Sequence, residues 1–255
     1  CKYIIKYAFN INVKRCTITS GEKSEGGLRI MIVAIDGPAG AGKSSVAKEV
    51  AKRLGLTYID TGAMYRALTW KAINNQIDIN NEDKLESLLK SSKIELQSSP
   101  DGLKILIDDL DVTREIREPE INNSVSLVSS HKEIRDLMVI KQRNIANLKK
   151  GVVMDGRDIG TVVFPNADIK LFLTASVEER AKRRFKEQIE KGIATDMDQL
   201  IKDISLRDDT DRNRPVAPLK PADDAIIIDT TKLSYEEVIK KLLSLVLNRT
   251  QPIKG

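Results

Sequence analysis

Residues 37–44 read Gly-Pro-Ala-Gly-Ala-Gly-Lys-Ser and match the pattern G-x-x-x-x-G-K-[ST] at every fixed position. A short apolar run, residues 31–35, precedes this segment, and a helical pattern follows it as far as Leu54. Glycines let such a loop turn tightly and direct backbone N–H groups at phosphate oxygens, while the new helix adds its positive dipole end. In this motif Lys43 reaches the β- and γ-phosphates and Ser44 holds Mg²⁺. The segment predicts a site for a nucleoside triphosphate between a strand and a helix.

From Met31 onward, short apolar runs alternate with amphipathic helical patterns, which is typical of a parallel sheet covered by helices. We therefore predict an α/β fold of the P-loop type. The candidate strands are residues 32–35, 57–59, 152–154, 169–173 and 225–228. The candidate helices are residues 43–54, 62–74, 131–149, 177–191, 197–209 and 234–247.

Two segments interrupt this alternation. Residues 93–112 alternate with period two around a Ser-Ser-Pro-Asp-Gly turn and predict a small antiparallel meander inserted into the parallel fold. Residues 206–221 are dense in charge and in proline, which predicts an irregular, mobile excursion before the last strand.

The charge distribution argues against a nucleic-acid-binding surface. The chain of 255 residues has a formal net charge of +5, with 42 basic and 37 acidic residues. Six of the basic and two of the acidic residues fall in residues 1–30, so the remainder carries a net charge of only +1. A basic footprint for nucleic acid is therefore not expected. No run approaches the roughly 20 apolar residues that a membrane-spanning helix needs, so no membrane partner is expected either.

Residues 1–30 form a leader with a different character from the rest. Both cysteines, Cys1 and Cys16, lie in it, and His131 is the single histidine of the chain. No disulfide framework, thiolate metal site or histidine cluster can form beyond the leader, which fits a reducing, cytoplasmic setting. The leader lacks a signal-peptide pattern. We expect it to be a disordered extension, with Met31 as the natural start.

Arginines and carboxylates follow the predicted strand ends. Asp155-Gly-Arg-Asp158 comes directly after a buried strand, where ligands bind in open α/β sheets. Phosphoryl transfer needs two aligned phosphates and positive charge on the oxygens between them, and arginine supplies that charge at any working pH. No Asn-Lys-x-Asp guanine signature occurs, which disfavours a GTPase. The arginines that could supply this charge are Arg66, Arg135, Arg157, Arg207, Arg212 and Arg214.

These motifs resemble those of the bacterial cytidylate kinases, a family of P-loop nucleoside monophosphate kinases. The resemblance runs from Met31 to about Leu247. It rests on Ile35-Asp-Gly-Pro-Ala-Gly-Ala-Gly-Lys-Ser44, Asp60-Thr-Gly-Ala-Met-Tyr-Arg66, Asp155-Gly-Arg-Asp-Ile-Gly-Thr-Val-Val-Phe-Pro165, Glu179-Arg-Ala-Lys-Arg-Arg184 and Arg207-Asp-Asp-Thr-Asp-Arg-Asn-Arg214. The meander at 93–112 corresponds to an insertion that marks the bacterial enzymes.

The resemblance implies a fold, an activity and a set of site residues. The fold would have a five-stranded parallel core (31–60 and 150–255), a monophosphate-binding insertion (about 61–149) with the small antiparallel sheet, and a lid (about 192–216). The activity would be phosphorylation of CMP and dCMP by Mg-ATP, in a monomer. ATP would be bound by Gly37, Pro38, Ala39, Gly40, Ala41, Gly42, Lys43, Ser44 and Ser45. The acceptor nucleotide would be bound by Thr61, Arg66, Ser126, Arg135, Arg157, Asp158, Asp211 and Arg214.

Within this set, Arg66, Arg135 and Arg157 would grip the acceptor phosphate. Ser126 and Asp158 would contact the cytosine edge, and Asp211 would reach the sugar. The residues expected to act on the transferring phosphoryl group are Lys43, Arg157, Arg207, Arg212 and Arg214. Arg180 and Arg184 would lie near the lid. Thr210 departs from the family pattern, because some members carry an arginine there.

Purely structural roles remain open as alternatives at several positions. Arg180 and Arg184 share a helix face, and this face could simply be exposed to solvent and stabilised by i,i+4 salt bridges. Ser126 could be a packed polar residue, and the run 206–214 could be a solvated charge cluster. At the level of function, the alternatives are a mixed UMP/CMP specificity and, from another class, a P-loop ATPase acting on nucleic acid.

Overall fold

The computed structural model describes residues 30–99, 102–190 and 192–250. In chain order its elements are β1 (Met31–Asp36), α1 (Lys43–Leu54), β2 (Thr57–Asp60), α2 (Thr61–Asn74), α3 (Glu82–Ser91), β3 (Ile94–Ser99), β4 (Gly102–Ile107), β5 (Leu110–Asp111), a 3₁₀ turn (Glu115–Arg117), α4 (Pro119–Val128), α5 (Lys132–Asn147), β6 (Gly151–Gly156), a π-helical turn (Ile159–Val163), β7 (Ile169–Thr174), α6 (Val177–Glu190), α7 (Met197–Asn213), β8 (Ile226–Asp229) and α8 (Tyr235–Thr250).

The main sheet has five strands in the spatial order β2-β6-β1-β7-β8, and all neighbouring pairs are parallel. The five strands predicted from the apolar runs are confirmed, with ends that agree within two residues. A capping box precedes α8, since Ser234 N donates to Glu237 Oε2 at 2.8 Å. The leader was predicted over residues 1–30, of which residues 1–29 lie outside the described residues.

Helices cover both faces of this sheet. On one face α1 and α8 pack on side chains of β1, β6, β7 and β8. On the other face α5 and the π-helical turn pack on alternate side chains of β1, β2 and β6. Because successive strand residues point to opposite faces, a sheet covered on both sides needs strands that are apolar throughout. This explains why short, mostly apolar runs predicted the strands.

The segment between β2 and β6 forms a second layer with its own apolar core. The meander β3-β4-β5 is antiparallel as predicted, and it packs with α2, α3 and α5. The sequence patterns did not predict α3 and α4. The start of α3 nevertheless carries a signal, because the Asn81 side chain accepts from Lys84 N at 3.0 Å. Pro119 stands in the first turn of α4, where proline is favoured.

The prediction of an irregular excursion over residues 206–221 is wrong in its first half, because α7 continues to Asn213. Charged residues that looked solvated are buried there, including Asp208 and Asp211. They are buried because arginines from α6 and from the end of β6 pair with them. Among the described residues, no helix is long and apolar enough to cross a membrane.

Candidate active site

The phosphate loop connects β1 to α1 at the carboxyl edge of the sheet. Its backbone bends through positive φ at Gly37 (146°), Gly40 (79°) and Gly42 (85°). At Gly37 a side chain would also collide with the fold, since a Cβ there would lie 1.9 Å from the Leu173 carbonyl oxygen. The glycine is therefore required both by the turn and by the close approach of β7.

Lys43 and Ser44 open α1 beneath this loop. The Lys43 ammonium is buried and donates to the Pro38 carbonyl at 2.7 Å. Burial and the neighbouring Arg157 guanidinium hold the pKa of Lys43 well below its ordinary value. An anion in the loop would relieve both effects. The arrangement therefore favours a negatively charged ligand at Lys43.

Asp155, at the end of β6, accepts hydrogen bonds from side chains of α1, β2 and α2. Its carboxylate accepts from the Ser44 hydroxyl and from the Tyr58 hydroxyl, each at 2.8 Å. Its backbone carbonyl accepts from the Thr61 hydroxyl at 2.7 Å. Burial and the nearby Asp60 raise the pKa of Asp155. Sequence reasoning noted this carboxylate but gave it no role; the available signal was its place at a strand end beside the phosphate loop.

A cleft opens between β6, α2, α4, α5 and α7. We call it the arginine cleft. Its empty space, counted together with the solvent at its open side, amounts to about 470 Å³. It is lined by Thr61, Gly62, Tyr65, Arg66, Val125, Ser129, Arg135, Gly156, Arg157, Asp158, Arg207, Asp211 and Arg214.

Ion pairs link the cations of the arginine cleft to its carboxylates. Arg66 lies 3.2 Å from Asp60 and Arg157 donates to Asp211 at 2.8 Å. Arg135 pairs with Asp158, and Arg214 Nη2 lies 3.7 Å from the other oxygen of the same carboxylate. Several buried guanidinium nitrogens still lack a hydrogen-bond acceptor: Nε of Arg66, Arg135 and Arg207, and Nη2 of Arg214. Buried donors without acceptors are uncommon in folded proteins and indicate room for an anionic ligand.

Arg207 carries the strongest electrostatic signal in the arginine cleft. Burial, together with the like charge of Arg157, lowers the pKa of Arg207 to about 9. Asp211 opposes that shift, and Arg157 and Arg207 in turn lower the pKa of Asp211 against the effect of its burial. So much confined positive charge favours a ligand with more than one negative charge, as a phosphate monoester has.

The structure brings most of the predicted acceptor residues together. Thr61, Arg66, Arg135, Arg157, Asp158, Asp211 and Arg214 all line the arginine cleft. Ser126 does not line it, although its neighbour Val125 does. Arg212 does not line it either, and its side chain is 54% exposed, 3.7 Å from Asp208.

Arg180 is not part of a solvated helix face. It is 1% exposed, forms a double hydrogen bond to Asp208 at 3.0 and 2.6 Å, and donates to the Ala39 carbonyl at 3.0 Å. Of the i,i+4 pairs considered in that alternative, Arg183 and Glu179 do form an ion pair, at 3.0 Å. Arg180 therefore ties α6 and α7 to the phosphate loop.

Sequence reasoning also missed groups that position Arg135. The Tyr65 ring lies 5.7 Å from its guanidinium carbon, and the Ser129 carbonyl accepts from Nη1 at 3.0 Å. Tyr65 directly precedes Arg66, which the sequence analysis selected as a site residue. No sequence pattern pointed to Ser129.

Comparisons with known proteins show which family the sequence matches. The sequence model of the cytidylate kinase family matches residues 33–248. A cytidylate kinase from Geobacillus sp. (strain WCH70) is 55% identical over 217 residues, which cover 85% of this chain and 96% of that protein. The cytidylate kinase of Bacillus subtilis (strain 168) is 51% identical over 219 residues, 86% of this chain and 97% of that protein.

Among solved structures, a shikimate kinase from Acinetobacter baumannii in complex with shikimate has a TM-score of 0.41 and 15% identity, covering 88% of this chain and 97% of that one. The assignment rests on the sequence matches, which span nearly all of the described residues at half identity or more. The chain belongs to the cytidylate kinase family.

Proposed function

We propose that this chain transfers the γ-phosphoryl group of ATP to CMP or dCMP, giving ADP and CDP or dCDP. The observation that carries the proposal is the end of β6, which serves two sites at once. Asp155 faces Ser44 of the phosphate loop, and Arg157 and Asp158 line the arginine cleft two and three residues later. Phosphates bound at these two sites would meet beside Lys43 and Arg157, as phosphoryl transfer requires.

On the donor side, the backbone N–H groups of residues 37–45 would hold the ATP phosphates, and Lys43 would exchange the Pro38 carbonyl for a phosphate oxygen. The hydroxyl of Ser44 and the carboxylate of Asp155 suit Mg²⁺, which prefers oxygen ligands. Bound Mg²⁺ would supply positive charge to the β- and γ-phosphates. Tyr58 holds the Asp155 carboxylate toward Ser44.

On the acceptor side, Arg66, Arg135 and Arg157 would grip the phosphate of CMP through fork-shaped donor pairs. The unpartnered Nε atoms of Arg66 and Arg135 support this role. Asp158 would accept from the cytosine amine and Asp211 would reach the sugar. For Ser126 only the family resemblance supports a contact with the base.

Phosphoryl transfer from ATP to the acceptor requires little covalent chemistry from the protein. A phosphate monoester is largely ionised near pH 7 and attacks in line without a protein base. Lys43, Arg157, Arg207 and Arg214 would neutralise the charge that spreads over the transferring group, and Arg212 would join them only after a movement of α7. Residues 192–216 would form a lid whose closure over the site excludes water.

Other features belong to the same proposal. We infer a core of residues 31–60 and 150–255 that binds ATP and an insertion of residues 61–149 that binds the acceptor. The protein would act as a monomer in the cytoplasm, with no nucleic-acid or membrane partner.

The test is a coupled ADP-release assay with Mg-ATP and CMP, dCMP, UMP, AMP, GMP or dTMP offered separately. We expect strong turnover with CMP and dCMP and little with the others. Comparable turnover with UMP would instead support the mixed UMP/CMP specificity. ADP release that ignores every monophosphate and rises with added RNA or DNA would favour the ATPase and reject the proposal.

Lys43→Ala tests the donor site in the same assay. We expect turnover to fall by about a thousandfold, because the lysine charge acts where negative charge develops. Lys52→Ala, an exposed lysine on the same helix, is the matched control and should keep full activity. Normal activity in Lys43→Ala would reject the phosphate loop as the ATP site.

A further inference from the structure

Asp36 ends β1 immediately before the phosphate loop and is only 5% exposed. Neither substrate site described above uses it. Its two carboxylate oxygens each accept one backbone hydrogen bond, from Ile159 N at 2.8 Å and from Gly160 N at 2.7 Å. A buried carboxylate with two such bonds holds the backbone that donates them.

Those donors open the π-helical turn that follows Asp158. Within the turn, Val162 N and Val163 N donate to the Asp158 carbonyl at 2.9 and 3.1 Å. The first N–H groups of any helical turn lack acceptors inside it. Asp36 supplies acceptors to two of them, so the chain directly after Asp158 is anchored to the end of β1.

Asp158 itself faces the arginine cleft. Its carboxylate contacts Arg135 and Arg214, while its backbone (φ −146°, ψ 26°) lies outside the regular helix and strand regions. Such a conformation persists only where the surroundings impose it. The anchor at Ile159 and Gly160 lies one residue away.

We propose that Asp36 is a positioning residue that fixes Asp158, and with it the acceptor side of the arginine cleft, relative to the phosphate loop. The inference rests on the proposed function, since it assigns the acceptor nucleotide to that cleft. Asp36 touches neither substrate and acts through the two backbone bonds.

The electrostatics of Asp36 support the assignment. Burial raises the pKa of Asp36 to about 7, although the two backbone N–H groups and Lys43 lower it; Asp158 adds to the increase. A buried carboxylate is thus an unfavourable choice for stability alone. Only the ionised form offers two full acceptors to the turn.

The experiment compares Asp36→Asn with Asp168→Asn. An asparagine keeps the shape of Asp36 but turns one acceptor oxygen into a donor, which would face a backbone N–H. Asp168 is the matched control, because its carboxylate also accepts a backbone bond, from Ile32 N at 2.8 Å at the opposite end of β1. The readouts are KM for CMP, KM for ATP, kcat, and calorimetric binding of CMP and ADP separately.

For Asp36→Asn we expect KM and Kd for CMP to rise about tenfold, since one buried hydrogen bond is lost at the turn. KM for ATP and Kd for ADP should stay within about twofold, and Asp168→Asn should leave all five measured values unchanged. Unchanged CMP binding, or equal losses for CMP and ADP, would overturn the inference.

Gly160→Ala gives a second, independent perturbation if Asp36→Asn does not fold. A Cβ at Gly160 would lie 3.2 Å from the Lys170 side chain, a tight contact, and 3.4 Å from Asp36 Oδ2, an ordinary one, so relieving the contact with Lys170 shifts the residue that donates to Asp36. KM for CMP should rise at least about threefold with KM for ATP unchanged; no selective rise would count against the inference. Wild-type turnover of CMP in the same series tests the proposed function separately.

Discussion

The buried pair of Arg180 and Asp208 yields a prediction that can be worked through quantitatively. Both side chains are 2% exposed, and the guanidinium also donates to the Ala175 and Ala39 carbonyls at 3.0 Å each. Replacing Asp208 by Asn keeps the volume but removes the negative charge. The Arg180 cation would then remain buried with no neutralising partner.

Breaking a buried ion pair on one side costs about 3–5 kcal/mol, because the remaining charge is left uncompensated in a low-dielectric interior. That is a large share of the total stability of about 5–15 kcal/mol expected for a folded domain. The matched control is Glu49→Gln, which breaks the exposed i,i+4 pair with Arg53 (N–O distance 2.7 Å, side chains 39% and 27% exposed). Solvent screens that pair, so its loss should cost no more than about 0.5 kcal/mol.

The assay is equilibrium unfolding in urea, followed by circular dichroism, for wild type, Asp208→Asn, Glu49→Gln and the double variant Arg180→Met/Asp208→Leu. Removing both charges should restore most of the stability lost in Asp208→Asn, because no buried charge remains. A cost below about 1 kcal/mol for Asp208→Asn, or one equal to that of Glu49→Gln, would refute the reasoning from burial.

Three further predictions concern the site. Asp158→Ala should raise KM for CMP about tenfold and KM for UMP less, since uracil lacks the exocyclic amine; equal rises would remove Asp158 from base recognition. Tyr58→Phe should weaken Mn²⁺ binding to the ADP complex about tenfold in an electron paramagnetic resonance titration, because Asp155 loses its second donor; unchanged Mn²⁺ affinity would contradict this. The third concerns pH. Folding raises the pKa of Asp36 to about 7, so the protonated carboxyl contributes stability to the folded protein. That contribution is fully present below the ordinary pKa near 4 and is lost as pH rises through about 7. Asp36→Asn should therefore gain stability relative to wild type between pH 5 and pH 8, by roughly 2–3 kcal/mol, and a difference that does not change with pH would count against the burial effect.

What the sequence predicted well depends on local physics. The phosphate loop between β1 and α1 needs glycines at fixed spacings, so residues 37–44 alone predicted both the turn and the ligand class. The buried strands needed apolar side chains on both faces, so their runs stood out. Arg157 and Asp158 could be placed in a site because they directly follow such a strand.

What the sequence did not predict depends on contacts between distant residues. The continuation of α7 through Asp208 and Asp211 requires Arg180 and Arg157 to neutralise them, and those arginines are 28 and 54 residues away in sequence. The roles of Tyr58 and Asp36 likewise depend on which strands are neighbours. Ser126 illustrates the same limit, since the rotation of α4 decides that Val125 and Ser129 face the cleft instead.

The ion pairs of the arginine cleft have a consequence for turnover. An entering acceptor phosphate would find four of the five arginines of the cleft already paired with a carboxylate, so binding exchanges one set of charge contacts for another. Asp60, Asp158 and Asp211 would thereby compete with the substrate for the arginines. An exchange of this kind keeps net affinity moderate despite many strong contacts, and the same carboxylates recapture the arginines as a charged nucleotide leaves. A site built to grip a dianion is in this way also built to release one.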